Sequence, residues 1–456
     1  MSNKPKTNDA RFELRSDGEK FLTASSYPSL RTAIDQAEIR EEQVVAIFHE
    51  INCFPADGVV AFNRALQNVF GFTLAKASFS RPPQTINIET SLGKTESFFY
   101  GTMIPPSLEK GFFQVELNLP VGIILSGQIK RKFEDKTQEL VAEIKRILRE
   151  ESIYRGKACE ITLGQNVAFP MPKFIDVQPV TLILNRATES RLSIDLWARL
   201  KNPIAFRKNN VSMKRGILCS GVYGTGKSLT ASKTAHIATE NGWTFLSLKK
   251  LQGTYDFVEA YKLCQLYAPS VLFVEDIDAI TSGIRGSEMN DMLETMDGVG
   301  AKGKEVVVVF TTNFPEKIND AFMRSGRIDR HVKLGLPDLE GIAHFVVTIG
   351  GNSLTSDCDI PAVCKAFEGL VPADICEGID GAKALAIETL PVGKWNIDGL
   401  VTTEMLLNSA ESMRDQRGLI SNKIDANEKA LSDIRKGFRL ALIDGEKVPQ
   451  TKVKVS

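Results

Sequence analysis

Net charge is missing from this sequence: lysine plus arginine and aspartate plus glutamate stand at 56 each over 456 residues. No global basic field argues for nucleic acid, which is not indicated as a partner, although a local patch or a basic central pore of a ring is compatible with this balance. Histidine is scarce, with four scattered residues, and the seven cysteines (53, 159, 219, 264, 358, 364 and 376) show no CxxC spacing. No zinc cluster or disulfide framework can be read from them, and reduced, mostly buried thiols are the expectation. No hydrophobic run approaches the roughly 20 residues of a bilayer span. Met1-Ser2-Asn3-Lys4-Pro5-Lys6 has no apolar core behind it, unlike a signal peptide. A cytoplasmic chain with no membrane partner is expected. Internal repeats are absent too. What is there is 43 % hydrophobic content, ample at this length for two or three domains with buried cores.

The most informative residues are Gly221-Val222-Tyr223-Gly224-Thr225-Gly226-Lys227-Ser228, a complete phosphate-binding loop of the form GxxxxGK[ST]. Glycines permit a tight turn whose backbone N–H groups point inward as a nest for phosphate oxygens. Lys227 would set its ammonium against the β- and γ-phosphates, and the Ser228 hydroxyl would ligate Mg²⁺. Gly216–Ser220 reads as a short buried strand and Leu229–Thr239 as a helix. Strand, loop and helix form the context that the motif needs, since the helix N-terminus adds partial positive charge. Gly221, Gly224, Thr225, Gly226, Lys227, Ser228 and Leu229 are therefore the candidate nucleotide contacts.

Two further buried strands end in polar residues. Val271-Leu272-Phe273-Val274 runs into Glu275-Asp276-Ile277-Asp278, three acids within four positions. Carboxylates at the C-terminal edge of a parallel sheet, facing a phosphate loop, are suited to support Mg²⁺ and to orient an attacking water. Glu305–Phe310 leads to Thr311-Thr312-Asn313, a polar tip within reach of a γ-phosphate. Asp320–Arg330 then carries Arg324 and Arg327 around a glycine. Guanidinium groups are natural partners of a charge-rich phosphoryl transition state.

Taken together, these residues resemble the AAA branch of the AAA+ ATPases over roughly Phe174 to Ala386, close to half the chain. Gly221–Ser228 looks like that family's Walker A, Val271–Asp276 its Walker B, and Asn313 falls on sensor 1. Asn290–Gly298 is similar to the family's "N-x-L-L-x-x-M-D-G" helix. Asp320–Asp338 resembles the second region of homology, with Arg324 and Arg327 on the arginine-finger positions. Phe367–Ile375 looks like the segment that opens a helix of the small lid domain, and Phe174-Ile175-Asp176-Val177 like the segment that cups adenine.

The sequence also departs from the pattern. Walker B usually ends Asp-Glu; here it ends Glu275-Asp276, so position by position Glu275 takes the metal role and Asp276 the water role. Aspartate is one methylene shorter, and a misplacement of about an ångström can cost roughly a hundredfold in rate. Slow hydrolysis or a shifted loop would follow. Protein-threading members carry an aromatic-hydrophobic-Gly triplet where this chain has Lys250-Leu251-Gln252-Gly253, and nearby Tyr255 and Phe257 are expected to pack against the helix. Ile349 replaces a frequent histidine, and Val222-Tyr223 a common Pro-Pro.

The fold class expected is α/β: a P-loop NTPase core with a parallel sheet and a helical lid, plus a mixed α+β N-terminal domain. Its divisions are 1–165 for the N-terminal domain, 166–180 for a linker containing Phe169-Pro170-Met171-Pro172, 181–335 for the large ATPase subdomain, 336–395 for the lid and 396–456 for a helical extension and tail. In the first region Ser29–Glu50 and Asp57–Phe70 read as helical, and Thr85–Glu89 and Phe113–Leu117 alternate like strands. A long charged helix, Arg131–Ser152, carries an apolar stripe (Phe133, Leu140, Val141, Ile144, Ile147, Leu148) that predicts core packing. Leu92-Gly93-Lys94-Thr95 reads as a turn.

The resemblance implies ATP and Mg²⁺ as cofactors and hydrolysis at subunit interfaces of a homo-oligomer, most often a hexamer. The cycle would remodel a protein client selected by the N-terminal domain. A slow-hydrolysing, ATP-gated assembly scaffold is the alternative, favoured by the reversed acids and the missing pore aromatic. A nucleic-acid remodeller is third.

Overall fold

A computed structural model describes residues 14–15, 21–22, 28–71, 73–75, 84–118, 122–163, 171–249, 253–278, 287–297, 303–324, 326–391 and 394–418. The first part holds β1 (Leu14–Arg15), β2 (Phe21–Leu22), α1 (Pro28–Glu41), β3 (Val44–Ile51), α2 (Pro55–Phe70) and β4 (Leu74–Ala75). There follow β5 (Thr85–Ser91), β6 (Lys94–Phe99), β7 (Gly101–Ile104), β8 (Phe112–Leu117), β9 (Ile123–Lys130) and α3 (Glu134–Glu150). Strands β3-β9-β8-β7-β4 form one antiparallel sheet, and β5-β6 is a separate hairpin whose turn is Leu92-Gly93.

The helix expected over 29–50 stops at Glu41, because Val44–Ile51 is a β-branched, alternating run whose side chains take opposite faces of the sheet. The stripe on α3 is core: Leu140, Val141, Ile144 and Ile147 are buried with α2 and the sheet.

A second sheet, ordered β11-β10-β13-β14-β15-β12-β16, carries the phosphate loop. Its strands are β10 (Ala158–Ile161), β11 (Lys173–Phe174), β12 (Arg215–Ser220), β13 (Thr244–Leu248), β14 (Ser270–Val274), β15 (Val306–Thr312) and β16 (Arg330–Lys333). All neighbours pair in parallel except β10 with β11. Strands β13, β14 and β15 are buried along their whole length, as helices on both faces of a parallel sheet require. One face packs with α4 (Arg186–Leu192), α5 (Ala198–Lys201), α6 (Pro203–Lys208) and α7 (Lys227–Glu240), the other with α8 (Thr254–Leu266) and α9 (Ser287–Asp297).

Strand β10 corrects the first boundary. It lay inside the region assigned to the N-terminal domain up to 165, yet it is a parallel strand of the nucleotide sheet. The lid is corrected likewise. It comprises α10 (Leu339–Gly350), α11 (Ile360–Phe367), α12 (Pro372–Glu388) and α13 over 403–418, with Val401, Leu406 and Ala410 buried in the same core as Phe345 and Phe367. The further helix expected over Ile424–Leu442 and the tail Lys447–Ser456 lie outside the described residues, as do Gly298 and Gln252. No helix among the described residues is long and apolar enough to cross a membrane. Of the seven cysteines, five are buried and Cys358 and Cys376 are half-buried, all as free thiols.

The two sheets share α2. Phe54, Ala56, Val59 and Val60 belong to the core of the nucleotide sheet, while Ala61, Phe62, Ala65 and Leu66 belong to the N-terminal one. At the junction, buried Asp57 accepts hydrogen bonds from Tyr267 Oη at 2.8 Å, Ser152 Oγ at 2.6 Å and the Ile153 N–H at 3.1 Å. Tyr267 Oη also accepts the Phe54 N–H at 3.1 Å. Tyr267→Phe leaves Phe54 N–H and one Asp57 lone pair unsatisfied in the dry joint, which should cost about 1–3 kcal/mol. Urea unfolding checks this: the midpoint should fall, and both cores should melt in one transition. An unshifted midpoint would mean that the cores part freely.

Candidate functional site

The loop after β12 turns into α7 through Gly224 at φ 83° and Gly226 at φ 95°, left-handed conformations that glycine adopts at no steric cost. A Cβ on Gly224 would meet Val371 Cγ2 at 2.9 Å and Ala373 Cβ at 3.1 Å, so the start of α12 leans directly on the loop. The Ala373 N–H donates to Gly224 O at 3.1 Å. Loop and lid therefore touch through backbone.

Between them lies a cavity of about 560 Å³. One end is lined by Gly224, Thr225, Gly226, Lys227, Ser228 and Leu229, with Glu275, Asp276 and Asn313 facing them. The other is apolar: Leu182, Ile183, Phe345, Ile349 and the start of α12. The segment expected to cup adenine, residues 174–177, does not line this cavity, and Phe174 sits in edge strand β11 with its ring centroid 5.4 Å from that of Tyr154. The segment 181–183 lines that end of the cavity instead, in an apolar run (Leu182-Ile183-Leu184) too short for periodicity to mark.

Lys227 Nζ donates to Asn313 Oδ1 at 2.7 Å, Gly221 O at 2.7 Å and Val222 O at 3.0 Å, with the Tyr223 ring 5.7 Å away. Burial draws its pKa down, opposed by the charges of Asp276 and Asp278. Asn313 Nδ2 in turn donates to Asp276 Oδ1 at 3.2 Å. Asp276 holds a left-handed backbone, φ 50°, and its N–H donates to Thr311 Oγ1 at 3.2 Å. Such a conformation costs a non-glycine residue about 1 kcal/mol, and here it turns the carboxylate toward Asn313. Glu275 follows β14 on the face of Phe273, the side of α7. Burial pushes its carboxyl up, opposed by Lys249. Asp278, noted in the sequence without a role, accepts a 2.6 Å hydrogen bond from Thr312 Oγ1.

The two arginines separate. Arg324 is exposed and does not line the cavity of its own chain. Arg327 donates from Nε to Asp297 Oδ2 at 2.6 Å and from Nη1 to Ala321 O at 2.8 Å, tying the loop to the end of α9. No group of three or more metal-ligating side chains occurs among the described residues. A serine hydroxyl and two carboxylates facing a phosphate loop suit a hard cation held jointly with substrate oxygens, the usual habit of Mg²⁺.

Residues 217–336 match the family model described as the ATPase family associated with various cellular activities (AAA). These residues are an AAA domain. Every candidate residue from Gly221 to Arg327 falls inside it, while the N-terminal sheet and the lid helices fall outside. The chain is similar to the ATP-dependent zinc metalloprotease FtsH of Helicobacter pylori, 32 % identical over 204 residues, 41 % of this chain and 32 % of the relative. It is also similar to the proteasome-activating nucleotidase of Methanocaldococcus jannaschii, 29 % identical over 248 residues, covering 50 % and 54 %. The cell division cycle protein 48 homolog of Archaeoglobus fulgidus is 29 % identical over 282 residues, covering 58 % and 37 %. The chain thus spans a third to a half of the length of these relatives.

Proposed function

We propose that the chain binds ATP with Mg²⁺ and hydrolyses it at the interface between subunits of a homo-oligomer, of hexameric type, to remodel a protein client in the cytoplasm. The observation that carries this is the convergence of Lys227, Ser228, Glu275, Asp276 and Asn313 on one cavity between sheet and lid. Lys227 and the loop N–H groups hold the β- and γ-phosphates, which requires Lys227 to exchange Asn313 and two carbonyls for phosphate oxygens. Ser228 and Glu275 support the metal side, and bound Mg²⁺ supplies neutralisation of charge developing on the phosphoryl group. Asp276 orients or deprotonates water beside Asn313. Arg324 acts on the neighbouring subunit's ATP, since it is exposed and does not line the cavity of its own chain. The contact between Ala373 and Gly224 passes loop movement to the lid, and the N-terminal sheet, fused to the ATPase core through α2, presents the client surface.

A second reading, the slowly hydrolysing assembly scaffold, is favoured by the connection between β13 and α8, since residues 249–253 (Lys249-Lys250-Leu251-Gln252-Gly253) include no aromatic. Tyr255, expected to pack, is 51 % exposed on the first turn of α8 and is the remaining aromatic there, while Phe257 is fully buried.

Steady-state hydrolysis against protein concentration tests the first reading. The rate per subunit should rise with concentration as interfaces form. Tight ATP binding with a negligible rate at every concentration would remove the motor and leave the scaffold.

A further inference from the structure

Strands β10, β13 and β14 are parallel neighbours, with Glu160 opposite Ser247 and Leu248 opposite Val274. Side chains alternate along each strand, and opposite residues share a face. Ala158, Phe245, Val271 and Phe273 lie in the core on the α7 side, so Glu160, Lys249 and Glu275 share that side near the C-terminal edge of the sheet, Glu160 one step diagonal to Lys249. Lys249 Nζ and Glu160 Oε2 are 2.8 Å apart. The Glu275 N–H donates to Leu248 O at 3.3 Å, which fixes the end of β14 beside Lys249. Of the charges that act on Glu275, Lys249 favours its ionised form, while Asp276 and Glu160 oppose it.

Resting on the ATP–Mg²⁺ reading, we propose that Lys249 and Glu160 are a positioning pair for Glu275, the carboxylate on the metal side. Glutamate there is one torsion longer than the aspartate of the resembled pattern, and a fixed counter-ion beside it limits where that carboxylate can point. A lone lysine would also repel a divalent cation. Glu160 cancels that repulsion, so the pair orients Glu275 without weakening the negative field of the site. Glu160 reaches this face from β10, only a few residues after Ile153, whose N–H donates to Asp57 at the joint, so the N-terminal region meets the metal side of the site through one carboxylate.

The two members of the pair predict opposite effects, which a structural salt bridge does not. Glu160→Gln leaves Lys249 uncompensated and should raise the Mg²⁺ concentration needed for half-maximal effect by about three- to tenfold. Lys249→Met leaves Glu160 uncompensated and should lower it by a similar factor, while kcat falls because Glu275 is no longer held. The double variant should return close to the wild-type midpoint, and Lys249→Arg should keep it. The readout is the Mg²⁺ midpoint of thermal stabilisation by ATP, measured beside the same titration of hydrolysis. Both side chains are partly exposed (43 % and 34 %), so the variants should fold. Equal midpoints, or shifts of both single variants in one direction, would overturn the role of the pair. Absence of ATP-dependent stabilisation in the wild type at every Mg²⁺ concentration would instead overturn the ATP-site reading.

Discussion

Arg324→Ala should lower hydrolysis by about 10³-fold with ATP affinity and folding unchanged. The side chain is exposed, does not line its own cavity, and has no hydrogen-bond or ion-pair partner among the described residues. Arg327→Ala should behave differently. It strips Asp297 of a partner at 2.6 Å and Ala321 O of a donor at 2.8 Å, and for a partly exposed pair this costs about 1–2 kcal/mol of stability. Its loss of activity would come with a lower unfolding midpoint. Mixing separates action between subunits from a local role. Arg324→Ala protein retains a complete site, and Asp276→Asn protein retains a complete arginine. At equal proportions, roughly a quarter of head-to-tail interfaces would join the two intact halves and recover a similar share of the rate. No recovery on mixing would mean that Arg324 does not serve a neighbour.

The phosphate loop, the two acid- and amide-tipped strands and the parallel sheet could be read from the sequence because each is local. Gly224 and Gly226 mark left-handed turns, and Val271–Val274 and Val306–Phe310 are unbroken apolar runs that only a fully buried strand accommodates. Asp338, the last residue of the stretch that resembles the second region of homology, caps α10 by accepting the Gly341 N–H at 2.8 Å. What could not be read depends on contacts distant in sequence. Strand β10 is four residues long and shows its place only by pairing with β13 over eighty residues later. Asp57 looks like an ordinary acid in the first turn of α2, and its burial depends on Tyr267, 210 positions away. Val401 and Leu406 complete the lid core although loops separate them from α12. Arg324 and Arg327 are alike in sequence; only the end of α9 distinguishes them.

Asp276→Asn is the other change with a large expected effect, a fall in kcat of about 10²–10⁴-fold, the usual range for loss of a positioned base. ATP binding should hold or tighten, because a negative charge leaves the phosphate side of the cavity while Lys227 and the loop amides stay. The more informative substitution is Asp276→Glu, which restores the longer acid found at this position in the resembled family. Asp276 already reaches Asn313 Nδ2 at 3.2 Å from a left-handed backbone at φ 50°. The short side chain is thus brought to the phosphate side by the turn of the main chain, and an added methylene carries the carboxylate past that point by about an ångström. A loss of tenfold or more in kcat is expected, with KM little changed, as for other displacements of that size. Single-turnover kinetics with ATP bound reads the step directly. A gain in rate would mean that the short acid limits turnover, and the slowly hydrolysing scaffold would then take precedence over the motor.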